Sequence, residues 1–146
     1  MEEEHSAGAV VFHRGEKGIE YLVLHYEAGH WDFAKGHLND SEDEMGAMLR
    51  EVHEETGLEV RVVPGFRRSI DYVYRDRHDC GKLKHKTVGL FLAESSIKEV
   101  KLSDEHVGYA WLAYDAAQVR LTHDNAKSVL KDAHNYLNSF FQSKLK

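Results

Sequence analysis

The sequence predicts an α/β fold in which helices pack on one mixed β-sheet, and three observations predict it. Short β-branched and aromatic runs recur within the first 26 residues and again between residues 61 and 112. Two other stretches, residues 41–57 and residues 124–141, carry apolar side chains at a helical period. No repeat, low-complexity tract or Pro/Ser-rich linker divides the chain. With 146 residues, 42% hydrophobic, 30% charged and a single proline, the composition suits one globular domain spanning residues 1–146 and excludes a disordered or fibrous chain.

The elements follow in order. Residues 7–13 (AGAVVFH) and 19–26 (IEYLVLHY) read as a hairpin across the polar connection 14–18, and residues 31–33 as a further short strand before a turn at Gly36. Beyond Ser41, Met45, Met48, Leu49 and Val52 fall at i, i+3, i+4 and i+7, one stripe of an amphipathic helix. Ser41 and Glu44 have capping-box spacing, and Gly57 is the expected stop. Gly46 inside that helix costs about 1 kcal/mol against alanine. Strands are expected at residues 61–63, 69–75, 87–93 and 107–112, with Pro64 and Gly65 at a corner and residues 76–86 as a polar loop. Ala126, Val129, Leu130, Ala133, Leu137, Phe140 and Phe141 then form a stripe behind Asp124 as N-cap, a helix expected to cover one face of the sheet.

Charge narrows the function. A net charge of −6 argues against gripping long nucleic acid, which takes a basic face, yet a short polyphosphate can be held through divalent cations clamped on acids. A lone cysteine, Cys80, forms no internal disulfide, and no leader or membrane-spanning run is visible, so a cytoplasmic protein is expected. A monomer without a membrane partner is the expectation. Cys80 with His78 and His85 lacks structural-zinc spacing and reads as part of a polar loop.

The densest signal is residues 36–58, GHLNDSEDEMGAMLREVHEETGL. Glu51, Glu54 and Glu55 lie at i, i+3 and i+4, one acidic cluster on the C-terminal half of the helix, where both mutual repulsion and the macrodipole oppose it. Arg50 reaches Glu54 at i+4 but cannot neutralise three acids; Mg²⁺ or Mn²⁺ with carboxylate and water ligands can. A bare E-x-x-E-E is more often a solvated face. Here, however, Gly36, Glu42, Arg50, Glu51, Val52, Glu54, Glu55, Gly57 and Leu58 satisfy all nine specified positions of G-x5-E-x7-R-E-U-x-E-E-x-G-U, where U is aliphatic. This resembles the Nudix box.

The resemblance implies a Nudix-type α/β/α sandwich with a catalytic loop-helix-loop, and Mg²⁺-dependent hydrolysis of a nucleoside diphosphate linked to another group. Phosphoanhydride cleavage needs non-bridging oxygens neutralised and a water delivered in line, both of which metal ions supply. By the resemblance, Glu51, Glu54, Glu55 and the Gly36 carbonyl are metal ligands, Arg50 orients the carboxylates, and Glu42 is structural. The flanks HWDFAKGH (residues 30–37), IDYVY (70–74), KTV (86–88) and LSDEH (102–106) resemble the asymmetric dinucleoside tetraphosphatases, which split diadenosine tetraphosphate into ATP and AMP. That implies phosphate contacts from Lys35, His37 and Lys86, adenine stacking on Tyr72 or Tyr74, and Glu105 as a fourth carboxylate, serving as ligand or general base, with a box glutamate as the other candidate base; Glu54, Glu105 and Arg50 form the expected catalytic set.

His123 stands where relatives commonly place a stacking aromatic, Ala34 where they often have proline, and Asp40-Ser41 where they have a Pro-Gly turn. Substrates left open by the box include a nucleoside triphosphate, an ADP-sugar, an inositol pyrophosphate and the 5′ end of RNA. A nucleotide-binding module without turnover is the alternative outside the enzymes.

Overall fold

The computed structural model describes residues 1–144. In chain order the elements are β1 (Glu2–Gly15), β2 (Gly18–Tyr26), β3 (Trp31–Asp32), β4 (Ala34–His37), α1 (Glu44–Thr56), β5 (Val60–Asp76), β6 (Lys82–Ser95), β7 (His106–Leu112), α2 (Tyr114–Arg120) and α3 (Asp124–Lys144). The sheet runs β3-β2-β1-β6-β5, with β4 pairing β1 and β7 pairing β2. β1 and β6 are parallel and the other pairs antiparallel, so the sheet is mixed as expected.

Both faces are covered, which is why the central strands read as continuous apolar runs. Ala7, Ala9 and Val11 of β1 point to α1 and pack with Leu22, Leu24, Met48, Val52 and Leu58. The alternate residues Val10 and Phe12 face α2 and α3 with Tyr21, Val23, Leu90, Leu130 and Leu137. The result is three layers, α/β/α, and each fully buried Leu or Phe contributes roughly 2–3 kcal/mol to holding them.

Several local expectations are corrected. The N-cap of α1 is Asp43, whose carboxylate accepts the Gly46 N–H at 2.7 Å, and not Ser41, which takes a left-handed turn with φ 68°. A Cβ on Gly46 would lie 2.8 Å from that capping oxygen, so glycine here fits the cap. The stripe of α1 is rotated: Ala47, Met48, Val52 and Glu55 are buried while Met45 and Leu49 are partly exposed. Pro64 and Gly65 do not divide two strands but form a bulge within β5, where the register with β6 shifts between Val62 and Arg67. Finally, α2 escaped the periodicity reading, and Asp124 is the first helical residue of α3, with the His123 carbonyl accepting the Lys127 N–H.

The expected polar loop 76–86 is largely strand, closed by a 3₁₀ turn at Arg77–Asp79. His85 on this ribbon joins three strands, its ring nitrogens 2.6 Å from Glu3 of β1 and 2.9 Å from Asp71 of β5. Hydrogen bonds to Asp71 and Glu3 raise its pKa above 6.5. A raised histidine stabilises the fold fully below its unfolded pKa and loses that contribution as pH rises through the folded value. The melting temperature gap between wild type and His85→Asn is therefore expected to shrink as pH is raised from 6 to 9. A gap constant over that range would remove His85 from the account.

Candidate functional site

Two features of β4 set the geometry beside α1. A Cβ on Gly8 would lie 2.2 Å from the Ala34 carbonyl oxygen, so β1 and β4 approach closely only because that residue is glycine. At Gly36 an added Cβ would lie 2.1 Å from the Glu51 carboxylate. Glu51 thus rests directly on the β4 backbone.

Arg50 organises the acidic face. Its Nε donates to Glu42 at 2.7 Å, Nη1 to Glu51 at 2.7 Å and to Glu54 at 3.0 Å, and Nη2 to Glu42 at 2.9 Å and the His37 carbonyl at 2.8 Å. One guanidinium therefore ties the loop after β4 to the helix, using the fork that lysine lacks. The Arg50 hydrogen bond, seconded by the Asn39 N–H, holds the Glu42 carboxyl down to about 2. Glu54 is the outermost of the three helix acids, with its side chain 56% exposed.

Glu55 is the opposite case, with its side chain only 3% exposed. The rotation of α1 that turns Met45 outward carries Glu55 under the segment before β7. That segment is docked on the helix end by Lys101 N–H to the Thr56 carbonyl (2.9 Å) and Ser103 N–H to the Glu55 carbonyl (3.1 Å). It brings Glu105 and His106 to Glu55, and ligand atoms of the three lie within 4.8 Å of one another. His106 Nε2 is 3.2 Å from Glu55 Oε1, an ion-pair distance, and Glu55 Oε2 has no hydrogen-bond partner among the described residues. Burial pushes the Glu55 pKa up to about 7, against the pull of His106, with Glu51 and Glu105 adding to the rise. A buried carboxylate with unsatisfied oxygens, surrounded by other acids, suits a divalent cation.

Beside this cluster opens a cleft of about 520 Å³. Lys35, Tyr72, Tyr74 and His123 all line it, although they come from β4, β5 and the start of α3. Lys35 Nζ sits 5.6 Å over the Tyr72 ring and 2.8 Å from Asp32. Burial lowers the Lys35 pKa, but Asp32 and Tyr72 outweigh it and the net shift is upward. Lys86, opposite Tyr72 in the β5/β6 register, is driven the other way by burial and by Lys35, and makes no ion pair among the described residues. The Tyr74 hydroxyl donates to Glu4, a bond that raises its pKa to about 12. His37 lies at the exposed end of β4, outside the cleft lining, and meets the site through its carbonyl.

Sequence reasoning missed Asp32, Tyr26, His30 and His106. Asp32 is buried and anchors both Lys35 and the Phe33 N–H (2.7 Å). Tyr26 stacks on His30 at 4.6 Å and meets His106 edge-on at 4.4 Å. His30 lines the main cleft and also a shallower one shared with Tyr26, Glu27 and Glu105, so it joins the aromatic cleft to the acids. Asp32 and His106 lie inside motifs already quoted, whereas Tyr26 gives no local signal.

Residues 4–133 match the NUDIX domain family. A bis(5'-nucleosyl)-tetraphosphatase [asymmetrical] from Rattus norvegicus is 35% identical over 145 residues, covering 90% of this chain and 94% of the relative. The enzyme of the same name from Caenorhabditis elegans is 28% identical over 142 residues, covering 92% and 97%. Among solved structures, a C. elegans Ap4A hydrolase binary complex superposes with a TM-score of 0.81 at 26% identity, covering 93% of this chain and 98% of that one.

Proposed function

The chain belongs to the NUDIX domain family, and from that premise we propose that it hydrolyses a phosphoanhydride bond of dinucleoside polyphosphates, converting diadenosine tetraphosphate to ATP and AMP. The observation that carries the proposal is the junction of an aromatic cleft with a buried, unsatisfied carboxylate: Tyr72, Tyr74 and His123 on one side, Glu55 with Glu105 on the other, and His30 between them. A flat base fits the first and a metal-chelated polyphosphate the second. The names of the rat and nematode relatives point the same way.

Glu51, Glu54, Glu55, Glu105 and the Gly36 carbonyl are assigned to hold Mg²⁺, with Mn²⁺ able to replace it. The bound ion supplies charge neutralisation at phosphorus and a more acidic water. Arg50 keeps the box carboxylates aimed while the loop after β4 stays closed on the helix. Lys35 and Lys86 meet the phosphate chain, whereas His37, outside the cleft, holds Arg50 through its carbonyl; Glu105, at the mouth of the shallower cleft, accepts the proton of the attacking water. The whole chain is read as one domain acting as a cytoplasmic monomer; among the described residues no helix is long and apolar enough to cross a membrane.

The test is incubation with diadenosine tetraphosphate in H₂¹⁸O, with and without Mg²⁺, followed by mass analysis. Metal-dependent ATP plus AMP, with ¹⁸O in one product only, is expected. Two ADP, or a stronger preference for a nucleoside triphosphate or sugar nucleotide, would overturn the substrate assignment.

The two tyrosines are expected to separate. Tyr74 is tied to β1 through Glu4, whereas Tyr72 presents its ring beneath Lys35. Tyr72→Ala should raise KM about tenfold, the equivalent of one lost base stack, with little change in melting temperature. Tyr74→Ala should mainly lower the melting temperature. An unchanged KM in Tyr72→Ala would place the adenine elsewhere.

A further inference from the structure

The turn that delivers Glu105 also delivers a buried imidazole to which the box pattern assigns nothing. Four buried side-chain polar atoms lack a hydrogen-bond partner among the described residues, and three of them meet at one point: both Glu55 oxygens and His106 Nε2. The fourth, Ser6 Oγ, is a lone hydroxyl. Each such atom destabilises the fold when left unsatisfied, so three together call for a common partner. One shared proton does not serve all three, because it can join Nε2 to Oε1 across 3.2 Å but leaves Oε2 without a partner. A cation accepting lone pairs from both groups does.

The rest of His106 is arranged as a metal ligand would be. Its side chain has no solvent exposure. Nδ1 lies 3.1 Å from Ser103 Oγ, and with Nδ1–H donating there, Nε2 keeps its lone pair toward Glu55. The His106 N–H donates to the Ser103 carbonyl at 3.2 Å, and Ser103 is itself bonded to the Glu55 backbone, so ring and carboxylate share one rigid frame. Tyr26 packs edge-on against the imidazole at 4.4 Å and restrains its tilt.

Building on the proposed metal-dependent reading, we propose that His106 ligates the cation through Nε2 together with Glu55 and Glu105, making this a mixed nitrogen and oxygen site that binds Mn²⁺ more tightly than Mg²⁺. Mg²⁺ favours an all-oxygen shell that keeps several waters, whereas an imidazole suits transition metals better. Mg²⁺ still enters, held by the carboxylates alone, so the preference is one of affinity.

Pulsed electron paramagnetic resonance on the full chain loaded with Mn²⁺ reads the ligand directly, and calorimetry gives both metal affinities. A ¹⁴N modulation is expected in wild type, changing to the ¹⁵N pattern when histidine is ¹⁵N-labelled and vanishing in His106→Gln. That variant should bind Mn²⁺ about tenfold more weakly, with a smaller change for Mg²⁺. The isotope experiment needs no variant, so it stands even if His106→Gln fails to fold. Mn²⁺ that binds wild type and is lost in Glu55→Gln, yet shows no nitrogen coupling, would overturn the role of His106 and leave the carboxylate site intact. Coupling that survives in folded His106→Gln would also overturn it. No divalent binding by wild type at all would overturn both readings.

Discussion

Glu55→Gln is expected to lower turnover of diadenosine tetraphosphate by about a thousandfold at saturating Mg²⁺, roughly 4 kcal/mol of lost transition-state stabilisation, while making the metal-free protein more stable. The two effects share one cause. In the absence of metal, burial raises the Glu55 pKa to about 7, with Glu51 and Glu105 adding to the rise and only His106 opposing it. An acid whose folded pKa lies above its unfolded value destabilises the fold progressively as pH rises between the two, and the full cost persists above the folded value. That cost is on the order of 3 kcal/mol at most. With EDTA present, the variant should therefore melt above wild type at pH 8, and the difference should close near pH 4. Adding Mg²⁺ should reverse the order at pH 8, because the ion stabilises wild type and the variant has lost a ligand. Near-wild-type turnover in Glu55→Gln would remove this residue from the metal site.

Arg50→Lys is expected to damage activity less than Glu55→Gln but to lower the melting temperature by roughly 5 °C or more. The charge survives but the fork does not: one ammonium cannot serve Glu42, Glu51, Glu54 and the His37 carbonyl together. Freed of Arg50, Glu51 loses the contact that holds it on Gly36, and the loop after β4 loses its tie to the helix. The expected pattern is a fall in kcat of about a hundredfold with a smaller change in KM, since the adenine cleft is built from other elements. A variant with wild-type kcat would show that the carboxylates keep their aim unaided. Glu54→Gln provides the contrast: with an exposed side chain and, among the described residues, only Arg50 as partner, its effect rests on lost metal charge alone.

The hairpin, the box helix with its Gly57 stop and the amphipathic last helix were legible because each is written in local period and cap chemistry. The box was legible for another reason: its nine positions lie within 23 consecutive residues, so chemistry and spacing coincide in the chain. Lys35, Tyr72 and Tyr74 are named by their flanking motifs and His123 by its place ahead of the last helix, and the structure gathers all four along one cleft. What could not be read was rotation. A shift of the buried stripe from Met45 and Leu49 to Ala47 and Glu55 is a modest turn of α1, yet it separates a solvated acid from a buried one. The Ser41 cap failed similarly: the helix starts two residues later, where Asp43 accepts the Gly46 N–H.

The sequence alone determined the class of layers, the acidic box and the family, since periodicity, capping and motif spacing are properties of neighbouring residues. Tertiary structure decided which glutamate is buried, which histidine faces it and how the cleft joins the acids. Those depend on residues far apart in the chain: Glu55 meets His106, Arg67 pairs with Glu44, and Tyr74 reaches Glu4. Burial and pairing set the electrostatics of such groups, and both arise only when β1, α1 and the turn before β7 close on one another.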